Sequence, residues 1–197
     1  KRRTFLRVVG GVGLTSALAP GYTFGAKSDD GDSEGVLLEA ASFAEQGGWK
    51  LDTQHYQQMG GCYLLAHGMG KPVANARTRV TIPKAGTWHV QVRTRDWCPG
   101  DWKAPGRFRV RVDGKPLKAE FGAEGDQWHW QRGGTVEIAE AGEVEVELED
   151  LTGFDGRCDA LFFSREASPR LPNDDLVELA AWKDRLTGRA SQNIDER

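Results

Sequence analysis

The stretch AGTWHVQVRTRDW, residues 85–97, decides the fold. In its first half large apolar residues alternate with polar ones: Trp88, Val90 and Val92 stand between His89, Gln91 and Arg93. A period of two is typical of a β-strand with one buried face and one polar face. The segment PKAG at residues 83–86, which overlaps the start of this stretch and precedes the alternating residues, has the composition of a turn. The stretch therefore predicts a strand that leaves a tight turn and lines a core.

The same alternation recurs along the chain. Its further apolar sets are Phe108, Val110 and Val112; Val136 and Ile138; and Val144, Val146 and Leu148. Shorter strand candidates are residues 36–39, 63–66, 78–82 and 159–163, and turn signals lie at Asp113-Gly114, Gly133-Gly134 and Ala141-Gly142. No helical period competes before Asp174. Many short strands with one polar face predict an all-β domain over residues 36–165, an antiparallel β-sandwich or jelly roll.

Residues 1–26 have the order of an export signal. A basic start is followed by a moderately apolar run over residues 5–19 and by a turn at Pro20-Gly21. The Arg2-Arg3 pair resembles the twin-arginine signal, which carries folded proteins across the bacterial inner membrane. The run is shorter than the roughly 20 residues of a spanning helix. We expect export to the periplasm or cell exterior with no stable membrane span after signal removal; the alternative is a short N-terminal anchor.

The composition of the chain argues against several classes of function. Residues 27–35 form an acidic Gly/Ser spacer, and the net charge of -3 argues against a nucleic-acid partner. Cys62, Cys98 and Cys158 allow one disulfide plus a free thiol, or three thiols, and no CxxC occurs. Neither an HxxxH nor a GxSxG motif is present, so catalysis within the sandwich has little support.

Two rows of charge alternate with the apolar positions. The basic row is Arg93, Arg95, Arg107, Arg109 and Arg111, and the acidic row is Glu137, Glu143, Glu145, Glu147 and Glu149. Arginines in a row could bind the carboxylates of an acidic polysaccharide. Because the acidic row is nearly as long, pairing across strands or simple solvation is the favoured interpretation.

Tryptophans mark the candidate binding site. Trp97 and Trp102 lie in DWCPGDW, residues 96–102, in a loop between two strong strands. Aromatic rings stack on sugar faces, and neighbouring polar groups bind the hydroxyls. The predicted carbohydrate-binding residues are Trp97, Trp102, Asp96, Asp101 and Arg95. The alternative is that the rings cap the sandwich edge or meet a partner domain. Trp128 and Trp130 share a face, which favours core packing, with His129 outward.

Four motifs look like the galactose-binding-like sandwiches used as carbohydrate-binding modules. They are LLEA at residues 37–40, AGTWHV at 85–90, the GxxWxW cluster at 125–130 and CDALFF at 158–163. In those modules an early Glu and a late Asp often hold a structural calcium. The resemblance implies that Glu39 and Asp159 are its ligands here, although Ala41 stands where a second early Glu is frequent.

A second resemblance covers nearly the whole chain. The motifs YLLAHG at 63–68, VRTRDW at 92–97, WHWQ at 128–131 and DLTGFDGRCD at 150–159 resemble the N-terminal module of exported bacterial FAD-dependent oxidoreductases, some labelled xanthan lyase. In that family a flavin-binding domain follows the sandwich. The resemblance implies a downstream flavin domain as partner and FAD as the cofactor of that domain, with no cofactor in this segment except the calcium.

The end of the chain fits this resemblance. Residues 166–197 contain a Pro-rich linker and then an amphipathic helix, which we expect to lead to a missing downstream domain. The chain has no initiating Met and stops about where the first flavin-binding strand would begin. We therefore expect a fragment of a longer protein whose flavin-binding and catalytic residues lie elsewhere.

Three hypotheses follow. The first is a non-catalytic, carbohydrate-binding-like module of an exported FAD-dependent oxidoreductase, with a polysaccharide or oligosaccharide as partner. The second is a structural sandwich that packs on the flavin domain without binding sugar. The third is an independent polysaccharide lyase or hydrolase, for which no acid–base pair can be named.

Overall fold

The computed structural model describes residues 35–97 and 105–187. Within them two antiparallel sheets form a sandwich, which confirms the predicted all-β class. The strands are β1 (Gly35–Glu39), β2 (Lys50–Asp52), β3 (Tyr63–Ala66), β4 (Ala76–Ile82), β5 (Gly86–Thr94), β6 (Phe108–Val112), β7 (Lys115–Phe121), β8 (His129–Ile138), β9 (Gly142–Asp150) and β10 (Gly156–Ser164). The α-helices are α1 (Tyr56–Met59) and α2 (Leu176–Thr187), and a 3-10 turn spans Ala40–Ser42.

Strand β10 organises the first sheet, here called sheet A. On one side it pairs with β5, and on the other with β3 and β1 end to end. Strand β2 extends the sheet beyond β3, and β8 extends it beyond β5. The second sheet, sheet B, has the order β4-β9-β6-β7. Because β10 is central and covered on both faces, all nine of its residues are buried.

The main core lies between the two sheets. Trp88, Val90 and Val92 of β5 are fully buried there with Phe108 of β6, as the alternation predicted. The indole Nε1 of Trp88 donates a hydrogen bond of 2.9 Å to the carbonyl oxygen of Lys84, so this large ring is buried with its polar atom satisfied. Residues 85–97 therefore supply the centre of the sandwich.

Gly133-Gly134 was predicted as a turn, and the structure contradicts this. Both glycines lie inside β8, where the register with β5 shifts between Val90 and Gln91. A Cβ on Gly133 would lie 2.9 Å from Leu117 Cδ1 of β7 and 3.2 Å from Val90 O. The pair forms a β-bulge at which β8 passes tightly against sheet B. Glycine is required at 133 because a side chain would not fit, and at 134 because its φ of +106° lies in the region that other residues rarely adopt.

The outer face of sheet B carries a ladder of ion pairs. Its pairs are Arg77–Glu147, Arg79–Glu143, Arg107–Glu120, Arg109–Glu120, Arg109–Glu149, Arg111–Glu147 and Arg111–Glu149, with N–O distances from 2.9 to 4.0 Å. The side chain of Asn75 and the guanidinium of Arg77 hold the pKa of Glu147 below its usual value. These arginines neutralise glutamates across strands, as the favoured interpretation predicted, and do not form an open platform.

The outer face of sheet A is covered by residues 171–187. Leu179 and Trp182 of α2 pack on Leu37, Ala160 and Phe162. The helix begins after Asp175, whose Oδ1 accepts hydrogen bonds from the backbone N–H groups of residues 177 and 178 at 2.9 and 3.1 Å. The amphipathic helix of the predicted C-terminal segment therefore lies against the sandwich.

A buried charge cluster fixes α2 to the sheet. Lys183 Nζ donates to both carboxylate oxygens of Asp159 at 2.8 and 2.9 Å, and Arg93 Nη1 donates to Asp159 Oδ2 at 2.8 Å. Arg93 and Asp159 are each 1% exposed. Arg93 Nε also donates to the side-chain oxygen of Asn173 at 3.1 Å. One carboxylate thus joins β5, β10 and α2.

Replacing Asp159 by Asn should destabilise the domain strongly, because two cations then remain buried without a counter-ion. We expect a loss of about 3–5 kcal/mol in the free energy of unfolding, measured by urea denaturation. The matched control is Glu143→Gln, which breaks an exposed pair with Arg79 at 3.7 Å and should cost less than about 0.5 kcal/mol. Equal midpoints for Asp159→Asn and the unmodified chain would show that the buried cluster does not hold the helix.

Candidate functional site

The candidate site lies at one end of sheet A, where β5 ends and β10 begins. Antiparallel pairing sets Thr94 beside Cys158, so Arg95 and Arg157 come next to one another. Both side chains are buried, Arg95 at 4% and Arg157 at 2% exposure. The site is therefore assembled by sheet register rather than by a local motif.

Four aromatic side chains surround the two arginines. His55 lies 5.1 Å from Trp97, 5.8 Å from Tyr63 and 6.1 Å from Trp128, measured between ring centroids. Tyr63 and Trp128 are 5.1 Å apart in an edge-to-face arrangement. We call His55, Tyr63, Arg95, Trp97, Trp128 and Arg157 the aromatic–arginine cluster.

The guanidinium groups are held by neutral acceptors and by ring faces. Arg95 Nη1 donates to Gln58 Oε1 at 2.9 Å and to His55 Nδ1 at 3.4 Å, and its Nη2 donates to the carbonyl oxygen of Asp126. The Trp97 ring centroid lies 5.6 Å from the guanidinium carbon of Arg95 and 5.1 Å from that of Arg157.

Arg157 is held in the same way. Its Nη1 donates to the carbonyl oxygen of Asp155 at 2.8 Å and to that of Trp97. Within residues 35–97 and 105–187, no carboxylate forms an ion pair with Arg95 or Arg157. Among the described residues, the carboxylate of Asp126 attracts the charge of Arg95 without forming an ion pair with it, and the carboxylate of Asp52 acts on His55 and Tyr63.

The two ionisable rings of the cluster are neutral near pH 7. Burial lowers the pKa of His55, and the nearby charges of Arg95 and Arg157 lower it further. Burial raises the pKa of Tyr63 to about 12. Since a guanidinium N–H can only donate, His55 Nδ1 accepts from Arg95 and its proton sits on Nε2.

Three of the five predicted carbohydrate-binding residues come together here. Arg95 and Trp97 belong to the cluster, and the half-buried Asp96 joins it to the neighbouring loop through its backbone N–H, which donates to Gly125 O at 2.7 Å. Trp102 and Asp101 lie outside the described residues. The five assignments stay predictions.

Several residues of the site were missed from sequence. Tyr63 and Arg157 carry no local signal, because only the pairing of β3, β5 and β10 brings them together. His55 also carries none, because it lies before α1 and meets Tyr63 and Trp97 only in the folded chain. Trp128 and Trp130 are buried or half-buried on the outer face of sheet A rather than between the sheets. Trp128 belongs to the cluster, while Trp130 packs on Trp182 and donates to Pro172 O at 2.8 Å.

The predicted basic row is divided between the two sheets. Arg93 and Arg95 do not share a solvated face with the arginines of β6, because both are buried in sheet A.

Two of the three cysteines lie in the described residues, and both are free thiols. Cys62 is half-buried and Cys158 is fully buried, while Cys98 lies outside the described residues. Burial raises the pKa of the Cys158 thiol well above its usual value.

The residues implied as calcium ligands do not fit a calcium ion. Both oxygens of Asp159 accept hydrogen bonds from the ammonium of Lys183, and one also accepts from Arg93. Glu39 pairs at the backbone with Ala160, next to Asp159 in sequence, and Ala41 offers no carboxylate. The described residues contain no group of three or more His, Cys, Asp and Glu side chains placed to hold a metal. Lysine and arginine supply the positive charge instead.

The fold is that of the carbohydrate-binding modules. A family 35 module from Clostridium thermocellum is similar with a TM-score of 0.51 and 18% identity, over 66% of this chain and 98% of the module. The C-terminal family 6 module of LamC, a marine laminarinase from Zobellia galactanivorans, has a TM-score of 0.50 and 13% identity, over 66% and 99%.

A larger protein contains the same fold. The GH26-CBM35 β-(1,4)-mannanase of Podospora anserina is similar with a TM-score of 0.53 and 19% identity, over 70% of this chain but only 29% of the mannanase. No protein-family model and no curated protein matches the sequence. Across residues 35–97 and 105–187, the helices are too short or too polar to span a bilayer.

Calcium should leave the stability of the domain unchanged, because Lys183 already neutralises Asp159. We expect the same thermal midpoint in calcium chloride and in EDTA, measured by differential scanning calorimetry. A rise in calcium that EDTA reverses would contradict this, since a ligand that binds only the folded state raises its midpoint.

Acid should destabilise the domain through His55. Its folded pKa lies below the ordinary 6.5, so between those two values the unfolded chain binds a proton that the folded chain excludes. This contribution is complete above 6.5 and is lost as the pH falls below it. Thermal midpoints at about pH 7.5 and about pH 5.5 should differ less in His55→Gln than in the unmodified chain. The control is His89→Gln, outside the cluster; an unchanged acid response in His55→Gln would refute the assignment.

Proposed function

We propose that this domain is a non-catalytic carbohydrate-binding module whose ligand stacks on Trp97 at the edge of the aromatic–arginine cluster. The observation that carries the proposal is the position of Trp97. Its ring is half-buried against two guanidinium groups, at a loop end of the sandwich, with exposed Gln58 and Asp126 beside it. Shallow carbohydrate-binding sites commonly combine an aromatic ring with neighbouring hydrogen-bonding groups.

The other surfaces of the sandwich are already occupied by side chains of the protein, which favours the loop end as the binding site. The outer face of sheet B is occupied by its own ion pairs, and that of sheet A by α2. The space between the sheets is filled by apolar side chains. At the loop end, the described part of the domain offers the Trp97 ring to a ligand, whereas the exposed ring of Tyr56 lines a separate cleft beside Lys183.

The similar structures support a binding role. The chain matches a family 35 carbohydrate-binding module over 98% of that module's length, so the sandwich corresponds to a whole module rather than to part of a catalytic domain. The cluster offers guanidinium groups, neutral rings and the half-buried Asp96. Glycoside hydrolysis commonly uses a pair of carboxylates on either side of the bond, and this chemistry differs from that of the cluster.

We also propose the wider setting that the resemblance implies. The domain would be the N-terminal part of an exported FAD-dependent oxidoreductase, delivered by a twin-arginine signal, and would hold the flavin domain near polysaccharide. Support comes from the motifs at 92–97 and 150–159, whose residues Arg95, Trp97 and Arg157 build the cluster. Full-length protein purified from the periplasm should show the absorbance spectrum of bound flavin; a colourless periplasmic product would contradict this setting.

A structural role is the second candidate function of the domain, and the exposed apolar residues of α2 support it. Val177 is 80% exposed on this helix, next to the exposed Ala180 and Ala181. An exposed apolar stripe on a docked helix suits contact with a neighbouring domain. If this were the only role, the isolated chain would self-associate and bind no glycan.

The double variant Trp97→Ala/Trp102→Ala should lose glycan binding, because it removes both predicted stacking rings. A glycan-array screen of the full chain should give specific binding, and the variant should bind roughly thirtyfold more weakly, since truncating a central Trp costs about 2 kcal/mol. The control is Tyr56→Ala, which removes a ring 54% exposed that lines a separate cleft beside Lys183.

The screen separates the two candidate functions. Undiminished binding by a folded double variant would refute the Trp97 site. No binding by the unmodified chain, together with self-association in analytical ultracentrifugation, would refute the carbohydrate-binding function in favour of a structural role.

A further inference from the structure

A cleft of about 310 Å³ lies at the β8 edge of sheet A, beside the part of the sheet that α2 covers. Its floor is formed by β5 and β8, whose register sets Gln91 opposite Arg132. Side chains of such opposite residues start about 5 Å apart at their Cβ atoms. The segment 168–173 crosses above them and is joined to β8 by the hydrogen bond from Arg132 to Ser168 Oγ. The cleft is therefore the gap between the sheet and the segment that follows it.

Gln91 brings an unpartnered amide to this cleft. The residue is only 5% exposed. Its neighbours Val90 and Val92 fill the core between the sheets, so its own side chain lies on the outer face, where the cleft is. Within residues 35–97 and 105–187, its side-chain oxygen and nitrogen make no hydrogen bond. Because buried polar groups in native proteins are nearly always satisfied, this amide indicates a partner that enters from the cleft.

Arg132 gives the cleft a positive charge. Its Nη2 donates to Ser168 Oγ at 2.6 Å, and in the described part of the chain it forms no ion pair with a carboxylate. The other N–H groups of the guanidinium remain as donors, and the Ser168 hydroxyl keeps its own proton when it accepts. The residues that line the described cleft include neither Asp nor Glu. The polar half of the cleft therefore suits an anionic acceptor.

The other half of the cleft is apolar. It is lined by Trp130, Pro169 and Leu171. The Trp130 ring packs edge-to-face on Trp182, with 5.8 Å between the centroids, and its Nε1 donates to Pro172 O at 2.8 Å. The ring is therefore held in place, and its N–H group is already bonded. A ligand that fits both halves carries an anionic group next to an apolar one.

We propose that this cleft binds a small organic carboxylate. The carboxylate group lies against Arg132, Ser168 and Gln91, and the apolar body lies against Trp130. A carboxylate accepts several hydrogen bonds at once, and a guanidinium binds it through two parallel bonds. The volume of the cleft is at the lower end of the roughly 300–1,000 Å³ of small-molecule sites. The proposal goes beyond carbohydrate binding, because Trp97 is not among the residues that line this cleft.

Occupancy has a structural consequence for the segment 168–173. In the free protein, the side chain of Ser168 joins this segment to β8 through a hydrogen bond with Arg132. A carboxylate bound to both residues adds a second connection between the segment and the sheet. Since a ligand that binds only the folded state raises its thermal midpoint, the midpoint should rise with ligand concentration.

The test compares benzoate with benzamide, which have the same ring and differ in the charge of the polar group. The full chain is titrated with each by calorimetry, and the indole N–H signal of Trp130 is followed by NMR. We expect benzoate to bind about tenfold more tightly, because its hydrogen bonds to Arg132 are charge-assisted. Arg132→Gln should remove this preference. The matched control Arg79→Gln, which removes an exposed arginine of sheet B, should keep it.

Gln91→Leu supplies a variant that preserves the fold. It replaces an unpartnered amide with an apolar group of similar volume, so the free protein should melt at the same or a higher temperature. Binding of benzoate should weaken by roughly three- to tenfold, about one lost hydrogen bond to a charged group. An affinity for benzoate equal to that of the unmodified chain would overturn the site at Gln91.

The outcomes separate this site from the carbohydrate-binding function. Trp97→Ala/Trp102→Ala should bind benzoate as the unmodified chain does, and a loss of benzoate binding in it would move the site to the loop end and overturn the proposal. Equal affinity for benzoate and benzamide would overturn the recognition of a carboxylate. Acetate or inorganic phosphate that binds as tightly as benzoate would overturn the apolar half of the site and show a site for a bare anion.

Discussion

The carboxylate of Asp159 is the constraint on which the rest of the structure depends. It lies in the central strand and neutralises Arg93 and Lys183, so one buried anion joins two strands of sheet A to the C-terminal helix. Burying three charges is tolerated only when they satisfy one another. With the helix held in this way, Trp182 covers Phe162, and the outer face of the sheet becomes an interior surface. Residues 171–187 are therefore part of the domain.

The arginines of this protein divide by the partner that they meet. On sheet B they face glutamates across the strands, and the charges cancel at the surface. At the loop end, Arg95 and Arg157 meet aromatic faces and neutral hydrogen-bond acceptors, and no ion pair with either arginine is found among the described residues. The same residue type thus forms ion pairs on one face and packs against aromatic rings at the loop end, and the register of the strands decides which environment each arginine meets.

The sequence predicted the layers of the fold better than the contacts between them. Alternation identified the strands around Trp88 and Val144, because a half-buried strand exposes every second residue. It misassigned Gly133-Gly134, since a glycine pair serves a bulge as well as a turn and only the approach of Leu117 distinguishes the two. Local composition found Trp97 but not Tyr63, which joins it only through pairing in three dimensions. Lys183 gave no signal, because it lies on a helix and its partner, Asp159, lies on strand β10.

The central place of β10 has a consequence for how the domain folds. Strands β1, β3 and β5 are synthesised first, yet each needs β10 as its neighbour, and β10 is the last strand of the described sandwich. These three strands therefore remain without their common partner until Ser164 has left the ribosome. Pairings so distant in sequence make folding slow, because the entropy of closing long loops must be lost before these contacts form. The nascent chain must keep its unpaired strand edges apart from other chains during that interval.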